Sequence, residues 1–201
     1  NITNNISLSN YSWFNLGGPA EYLFKPENKN QLISFLEENK KIKFKITILG
    51  AGSNTLIRDK GVKGVVVKLG SSFSNLKLIE SNIIEAGSAT FDHKISNFAL
   101  ENKIGGLEFL SCIPGSIGGA VVMNSGCYDG DISKVLVSIR VIDIESCKEL
   151  EIKSENIDFF YRKTNLPKKF IITSVKLKGR IESKENILKK QKDFIEKKKL
   201  S

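Results

Sequence analysis

The chain has a single histidine, His93, one methionine, four prolines and three cysteines among its 201 residues. The cysteines, Cys112, Cys127 and Cys147, are odd in number and too widely spaced for a Cys-x-x-Cys motif, so they read as reduced thiols. A zinc site would need distant cysteines to converge on one imidazole, and a Ser-His-Asp or Cys-His hydrolase would have to be built on that same ring, which leaves little room for either. No metal site is expected. No apolar run approaches the ~20 residues that span a bilayer, and Asn1 to Asn10 lack the basic start and apolar stretch of a signal peptide. The chain therefore reads as soluble and cytoplasmic, with no membrane partner.

Acidic residues are outnumbered, 22 against 31 basic ones, for a formal charge of +9 and an isoelectric point near 9.4. Such a balance suits a nucleic-acid binder. The lysines, however, are spread along the chain, with only a modest cluster at Lys189, Lys190, Lys192, Lys197, Lys198 and Lys199. They read as solvated faces, and no nucleic-acid partner is expected. A mild positive field would still help to capture a diphosphate.

What is present is an ordinary globular composition, 40% hydrophobic and 26% charged, without repeats or low-complexity linkers. The pattern changes character near residue 70. Before it, Ala20 to Lys25 reads as a strand and Asn28 to Asn30 as a helix start ahead of Leu32, Ile33, Phe35 and Leu36. Ile46 to Leu49 follows as a buried strand, then a strand-turn-strand over Thr55 to Val67, which makes a β-α-β-β unit. After it, Leu76 to Ile79 pairs with Ile83 to Glu85 as a hairpin, and Ile95, Phe98 and Ala99 mark a helix that ends near Gly105-Gly106. Val135 to Ile144 pairs with Leu150 to Lys153, Ser154 caps a short turn, and Phe170 to Lys178 is a further strand. Ser183 to Leu200 places Ile187, Leu188, Phe194 and Ile195 on one side of a helix.

Two glycine-rich stretches carry the chemistry. Gly50-Ala51-Gly52-Ser53-Asn54 offers successive backbone N–H groups without bulky side chains, as a phosphate requires of a main-chain nest. A tight surface turn explains the same residues. The Rossmann fingerprint fails, because Thr55 stands where a glycine is required. Ile113-Pro114-Gly115-Ser116-Ile117-Gly118-Gly119-Ala120 is the second stretch. A helix starting at Ser116 would aim free N–H groups at an anion, though the glycines also suit close helix packing. It lacks the Gly-Lys-Ser/Thr of a nucleoside-triphosphate loop. Two cradles on separate units imply one extended diphosphate held by both, and FAD meets that demand. Gly106 to Leu110 would wall the flavin ring, or Phe109 is plain core.

Several further blocks stand in a fixed order: Asn15-Leu16-Gly17-Gly18-Pro19-Ala20, Leu49 to Asn54 with Arg58-Asp59-Lys60-Gly61, Gly105 to Ala120, Met123-Asn124-Ser125-Gly126 and Phe160-Tyr161-Arg162. In order and spacing they resemble the UDP-N-acetylenolpyruvoylglucosamine reductase family over nearly the whole chain. The resemblance implies an α+β, two-subdomain FAD-binding fold of the vanillyl-alcohol oxidase or PCMH type. Residues 1–70 would form the first subdomain, 71–182 the second, and 183–201 a helix leading toward an absent C-terminal substrate domain.

The same resemblance implies an FAD enzyme of peptidoglycan synthesis that uses NADPH to reduce UDP-N-acetylglucosamine enolpyruvate, a nucleotide sugar, to UDP-N-acetylmuramate. Gly50, Ala51, Gly52, Ser53, Asn54, Ile113, Pro114, Gly115, Ser116, Gly118, Gly119 and Ala120 would hold the cofactor. Arg162 matches the family's active-site arginine, with Tyr161, Tyr128 and Asn124 toward the substrate. Hydride addition to the enol ether builds negative charge beside the carboxylate, which a guanidinium stabilises at any working pH. The family's Gly-Ser-x-x-Lys-Asn-like stretch with its proton-donating serine, and its glutamate near the carboxyl end, find no match. The expectation is therefore a truncated or split enzyme that binds FAD with little or no turnover, its missing part supplied by a separate chain if at all. The alternatives are a flavin oxidase or dehydrogenase of the same fold, a flavin-binding module without activity, and a basic nucleic-acid binder.

Overall fold

A computed structural model describes residues 1–200. In chain order the first half runs β1 (Ile2–Ser7), β2 (Pro19–Phe24), α1 (Lys29–Ile42), β3 (Ile46–Ile48) and β4 (Val62–Val67). Asn28 caps α1, its side chain accepting from the Gln31 N–H. These strands form one sheet in the order β1-β2-β4-β3, with β1 antiparallel to β2, and β2 and β3 parallel to β4. The unit is thus β-β-α-β-β: β1, polar and exposed on nearly every residue, has no alternating pattern to announce it. Thr55 to Arg58, expected as a strand, is irregular. Its backbone instead serves the turn, the Arg58 carbonyl accepting from both Gly18 and Gly61.

The second half continues with β5 (Leu76–Glu80), β6 (Ile83–Gly87), α2 (Asp92–Glu101), β7 (Ile104–Gly105), α3 (Ile117–Val122), β8 (Gly126–Cys127) and β9 (Gly130–Asp131). It then runs through β10 (Leu136–Asp143), β11 (Glu149–Lys153), β12 (Phe159–Phe160), β13 (Lys163–Thr164), β14 (Phe170–Lys178), β15 (Arg180–Ile181) and α4 (Lys184–Leu200). Five strands form an antiparallel sheet in the order β11-β10-β14-β6-β5. Helix α2 stops at Glu101, four residues before Gly105, because Ile104 and Gly105 pair with Ile181 and Arg180. Among the described residues no helix is long and apolar enough to cross a membrane.

The main core packs α2, α3 and the residues around Phe109 against β6, β10 and β14, with Ile84, Ile95, Ile139 and Val175 fully buried. A second cluster joins the two sheets: Phe24, Leu32, Leu36, Val65 and Val67 of the first pack with Phe73, Ile142 and Ile171 of the second. In α4 the inward residues are Ile187, Gln191 and, in part, Phe194. Leu188 and Ile195, expected on the same face, are about 40% exposed. Gln191 bonds the Ser96 hydroxyl and carbonyl, which fixes the helix's rotation. Ser201, the last residue of the expected helix, lies outside the described residues.

Candidate functional site

The two glycine turns lie on different sheets and meet. The first leaves β3 through Leu49, whose N–H completes the ladder to Val67, and turns at Gly52 with φ +74°. That left-handed conformation favours glycine, and a side chain there would collide with the Tyr11 carbonyl, so only glycine lets the turn lie flat on the segment behind it. Ser12 is buried behind the turn and the Trp13 N–H donates to the Gly52 carbonyl. Among the described residues, none of the N–H groups of Gly50, Ala51, Gly52, Ser53 and Asn54 is given to a protein acceptor. A run of undonated N–H groups at a surface turn is an anion nest.

The second turn runs from Ile113 to Ser116 and enters α3 with Ser116 at its N-cap. The expected free N–H groups at this helix start are partly used: Ile117 donates to the Thr90 carbonyl at 2.9 Å and Gly118 to the Ser88 carbonyl at 2.9 Å. Those bonds fasten the turn to the end of β6. The Ser116 side chain caps nothing, and the Gly115 and Ser116 N–H groups are given to no protein acceptor among the described residues. Gly115 and the Ser116 hydroxyl lie beside the first turn. A methyl group placed on Gly50 would stand 3.2 Å from Ser116 Oγ, and one placed on Gly115 would stand 3.3 Å from Ser53 Oγ. The two stretches thus form opposite walls of one slot.

Charge around the slot favours an anion. Lys68 Nζ lies 2.6 Å from the Gly50 carbonyl, and Lys25 Nζ bonds the Tyr11 hydroxyl at 2.7 Å. Burial, and then the positive charge of Lys25, lower the Lys68 pKa, so this ammonium is short of solvent and of counter-charge. Asp92 is the exception in sign. It is fully buried, and its Oδ2 lies 3.2 Å from where a Gly115 side chain would begin.

Beyond α3 the remaining site residues gather on two small hairpins. Tyr161 and Arg162 are the two-residue loop between β12 and β13, and Tyr128 opens the loop between β8 and β9. Asn124 ties the hairpins together: its Nδ2 donates to the Phe160 carbonyl at 3.2 Å and its Oδ1 accepts from the Ser133 N–H at 3.1 Å. Arg162 Nη2 donates to the Gly126 carbonyl at 3.0 Å and the guanidinium lies over the Tyr161 ring, 5.1 Å from its centre. Asn124, Tyr128 and Arg162 all have φ between +40° and +54°, each costing about 1 kcal/mol relative to an ordinary backbone. Two-residue hairpin loops call for such φ values, which accounts for Tyr128 and Arg162, and asparagine adopts them more readily than most residues.

Tyr161 is 88% exposed at the tip of its hairpin. Tyr128 stacks on Phe194 of α4, centres 5.1 Å apart. Cys127 sits beside Cys112, and burial, then that thiol's neighbourhood, raise its pKa, so it remains a protonated thiol.

The expected apolar wall fails. Leu107, Phe109 and Leu110 are fully buried core, whereas Trp13 and Phe91, tied to the two turns by backbone bonds, and Leu56 and Val122, near them in sequence, are all 40% exposed or more. A cavity of about 550 Å³ lined by Gly105, Phe109, Lys178, Arg180, Lys190 and Phe194 is separate from both turns. Sequence reasoning also missed Lys68 and Asp92. Asp92 carried a signal: with Ile95, Ser96 and Ala99 it shares the buried face of α2, where a carboxylate is out of place.

Comparison with known proteins bears on the family and the fold. The family described as FAD binding domain matches residues 20–151. The chain is 46% identical over 198 residues to a UDP-N-acetylenolpyruvoylglucosamine reductase of Pelagibacter ubique, covering 96% of this chain and 65% of that relative. It is 45% identical over 182 residues to the reductase of the same name in Rickettsia felis, covering 90% of this chain and 61% of that relative. The chain thus spans less than two thirds of the length of either. Among solved structures it is similar to the crystal structure of the same-named reductase of Thermus caldophilus, with a TM-score of 0.86, 29% identity, and 99% of this chain and 70% of that one covered. Brevibacterium sterolicum cholesterol oxidase, at 13% identity and a TM-score of 0.61 over 89% of this chain and 37% of that one, shares the fold.

Proposed function

Because the chain belongs to the FAD binding domain family, we propose that it is the flavin-binding part of a UDP-N-acetylenolpyruvoylglucosamine reductase, an NADPH-using enzyme that forms UDP-N-acetylmuramate in the cytoplasm. The observation that carries this reading is the slot: the undonated N–H groups of Gly50 to Asn54 stand opposite those of Gly115 and Ser116, with the Ser53 and Ser116 hydroxyls between, along a seam lined by glycine. FAD fits it, since a diphosphate needs donors on both sides and no side chain between them. Residues 1–70 and 71–182 act as two subdomains holding the cofactor between them.

FAD, when bound, supplies the hydride-carrying chemistry. The chain's own residues do the rest. Ser53, Asn54 and Ser116 anchor the diphosphate, with exposed Gly119 letting it lie close to α3, while Gly118 packs on Ser88 and Ala120 is buried behind them. Arg162 holds the substrate carboxylate and stabilises the negative charge that develops beside it during hydride addition. Its planar fork suits a carboxylate, and the Gly126 carbonyl and Tyr161 ring keep that fork aimed. Asn124 fixes the two hairpins, and Tyr128 and Tyr161 border the substrate.

Purified chain titrated with FAD should quench flavin fluorescence and yield a yellow protein. With NADPH and the enolpyruvyl nucleotide these 201 residues should turn over little or not at all, because the matched relatives use a further third of their length. Failure to take up FAD would remove the cofactor reading. Oxygen consumption with alcohols in place of NADPH oxidation would favour a flavin oxidase of the same fold.

A further inference from the structure

We propose that Asp92 binds the flavin diphosphate directly as a neutral carboxylic acid that donates its proton's hydrogen bond, which makes cofactor retention fall in alkaline solution. The inference rests on the reading that the diphosphate lies between the two glycine turns.

Asp92 opens α2, and its own N–H donates to the Gly115 carbonyl at 3.1 Å, which anchors it against the second turn. Its side chain is fully buried, yet neither carboxyl oxygen has a hydrogen-bond partner among the described residues. Oδ2 and Ser53 Oγ converge on the same point at Gly115, 3.2 and 3.3 Å from it. The carboxyl therefore stands where the two walls meet, and a buried polar group without a partner is one that a ligand completes. Ser88 and Thr90, in the same strand-to-helix segment, have buried hydroxyls that are likewise unpartnered.

An ionised carboxylate here would repel a phosphate, and among the described residues no cation is bonded to it. His93 and Lys94 on the same helix are exposed and turned to the Phe91 ring. From the first turn's side Lys68 is occupied on the Gly50 carbonyl, with Lys25 behind it, and residues 113–116 carry no titratable side chain. Burial alone acts on the carboxyl and pushes its pKa up to about 8. At neutral pH it is an O–H donor with nothing to donate to, opposite a phosphate that has only acceptors to offer. Binding above that range takes up one proton from solvent onto Asp92 for each FAD bound.

The test is the FAD dissociation constant, by flavin fluorescence quenching, from about pH 6 to about pH 9. The unmodified chain should be flat on the acid side and weaken toward tenfold per pH unit above about pH 8. D92N, which keeps an N–H donor and cannot ionise, should be nearly flat throughout, any small residual slope belonging to Lys68. Calorimetry of the unmodified chain in two buffers of different ionisation heat should show proton uptake near one per FAD at the alkaline end, a measurement independent of the variant's folding. A flat profile in the unmodified chain, no proton uptake, or the same slope in D92N would overturn the proposal. Absence of FAD binding at every pH would instead overturn the cofactor reading beneath it.

Discussion

Replacing Gly50 with alanine should separate cofactor binding from folding. Gly50 is exposed and is not among the glycines of positive φ, so its backbone tolerates a side chain. The added methyl meets one atom, Ser116 Oγ at 3.2 Å, and that hydroxyl caps nothing and is free to turn aside. The fold should therefore lose under ~1 kcal/mol, within the range of surface substitutions. The same methyl lies between the two nests, where it holds a phosphate away from one or two main-chain donors. Each hydrogen bond to a charged group contributes about 1.5–3 kcal/mol, so FAD should bind weaker by at least about tenfold and, if both bonds go, by about a hundredfold or more. Fluorescence titration with FAD gives the affinity and thermal melting of the apo chain gives the control. A G50A chain that melts normally and binds FAD within about twofold of the parent would refute the placement of the diphosphate.

Three other outcomes follow from the same geometry. Arg162→Lys should leave FAD affinity and melting temperature almost unchanged, since the exposed guanidinium makes one hydrogen bond to Gly126, while any reduction of the enolpyruvyl nucleotide falls by about a hundredfold or more. Ile139→Ala, at a fully buried position of β10, should cost about 2–5 kcal/mol in urea unfolding by opening a cavity in the main core. Asp92→Asn should stabilise the apo chain more at about pH 8 than at about pH 5: with its folded pKa raised, Asp92 favours the fold most in acid and progressively less as pH climbs from its ordinary value of 3.8 toward 8. Equal melting gains at the two pH values would contradict that.

Much of this was legible from residue order. Asn28 marked the start of α1, and the β-branched run Val65 to Val67 marked the central strand of the first sheet, because capping chemistry and burial are local properties. Strand β1 was not legible. Its polar residues hold their place through pairing with β2, a partner more than ten residues away, and polarity carries no period. The two glycine turns were identifiable as cradles, but which N–H groups remain undonated depends on where the Ser88 and Thr90 carbonyls arrive, and that is set by the fold. Gly106 to Leu110 read as wall, with core as the alternative for Phe109. Packing against α2 and β10 decided for core, and the apolar surface fell to Trp13 and Val122.

The shared cluster of Phe24, Leu32 and Leu36 with Ile142 and Ile171, reinforced outside by the Lys29–Glu149 ion pair at 2.9 Å, has a kinetic corollary. Halves glued by a common oil layer cannot swing apart like jaws to admit a guest, since prying them open would wet those side chains. The gap's width is then preset before any ligand arrives. Flavin uptake should accelerate linearly with its concentration and show no saturation plateau, the signature of sliding into a standing aperture instead of waiting for a hinge.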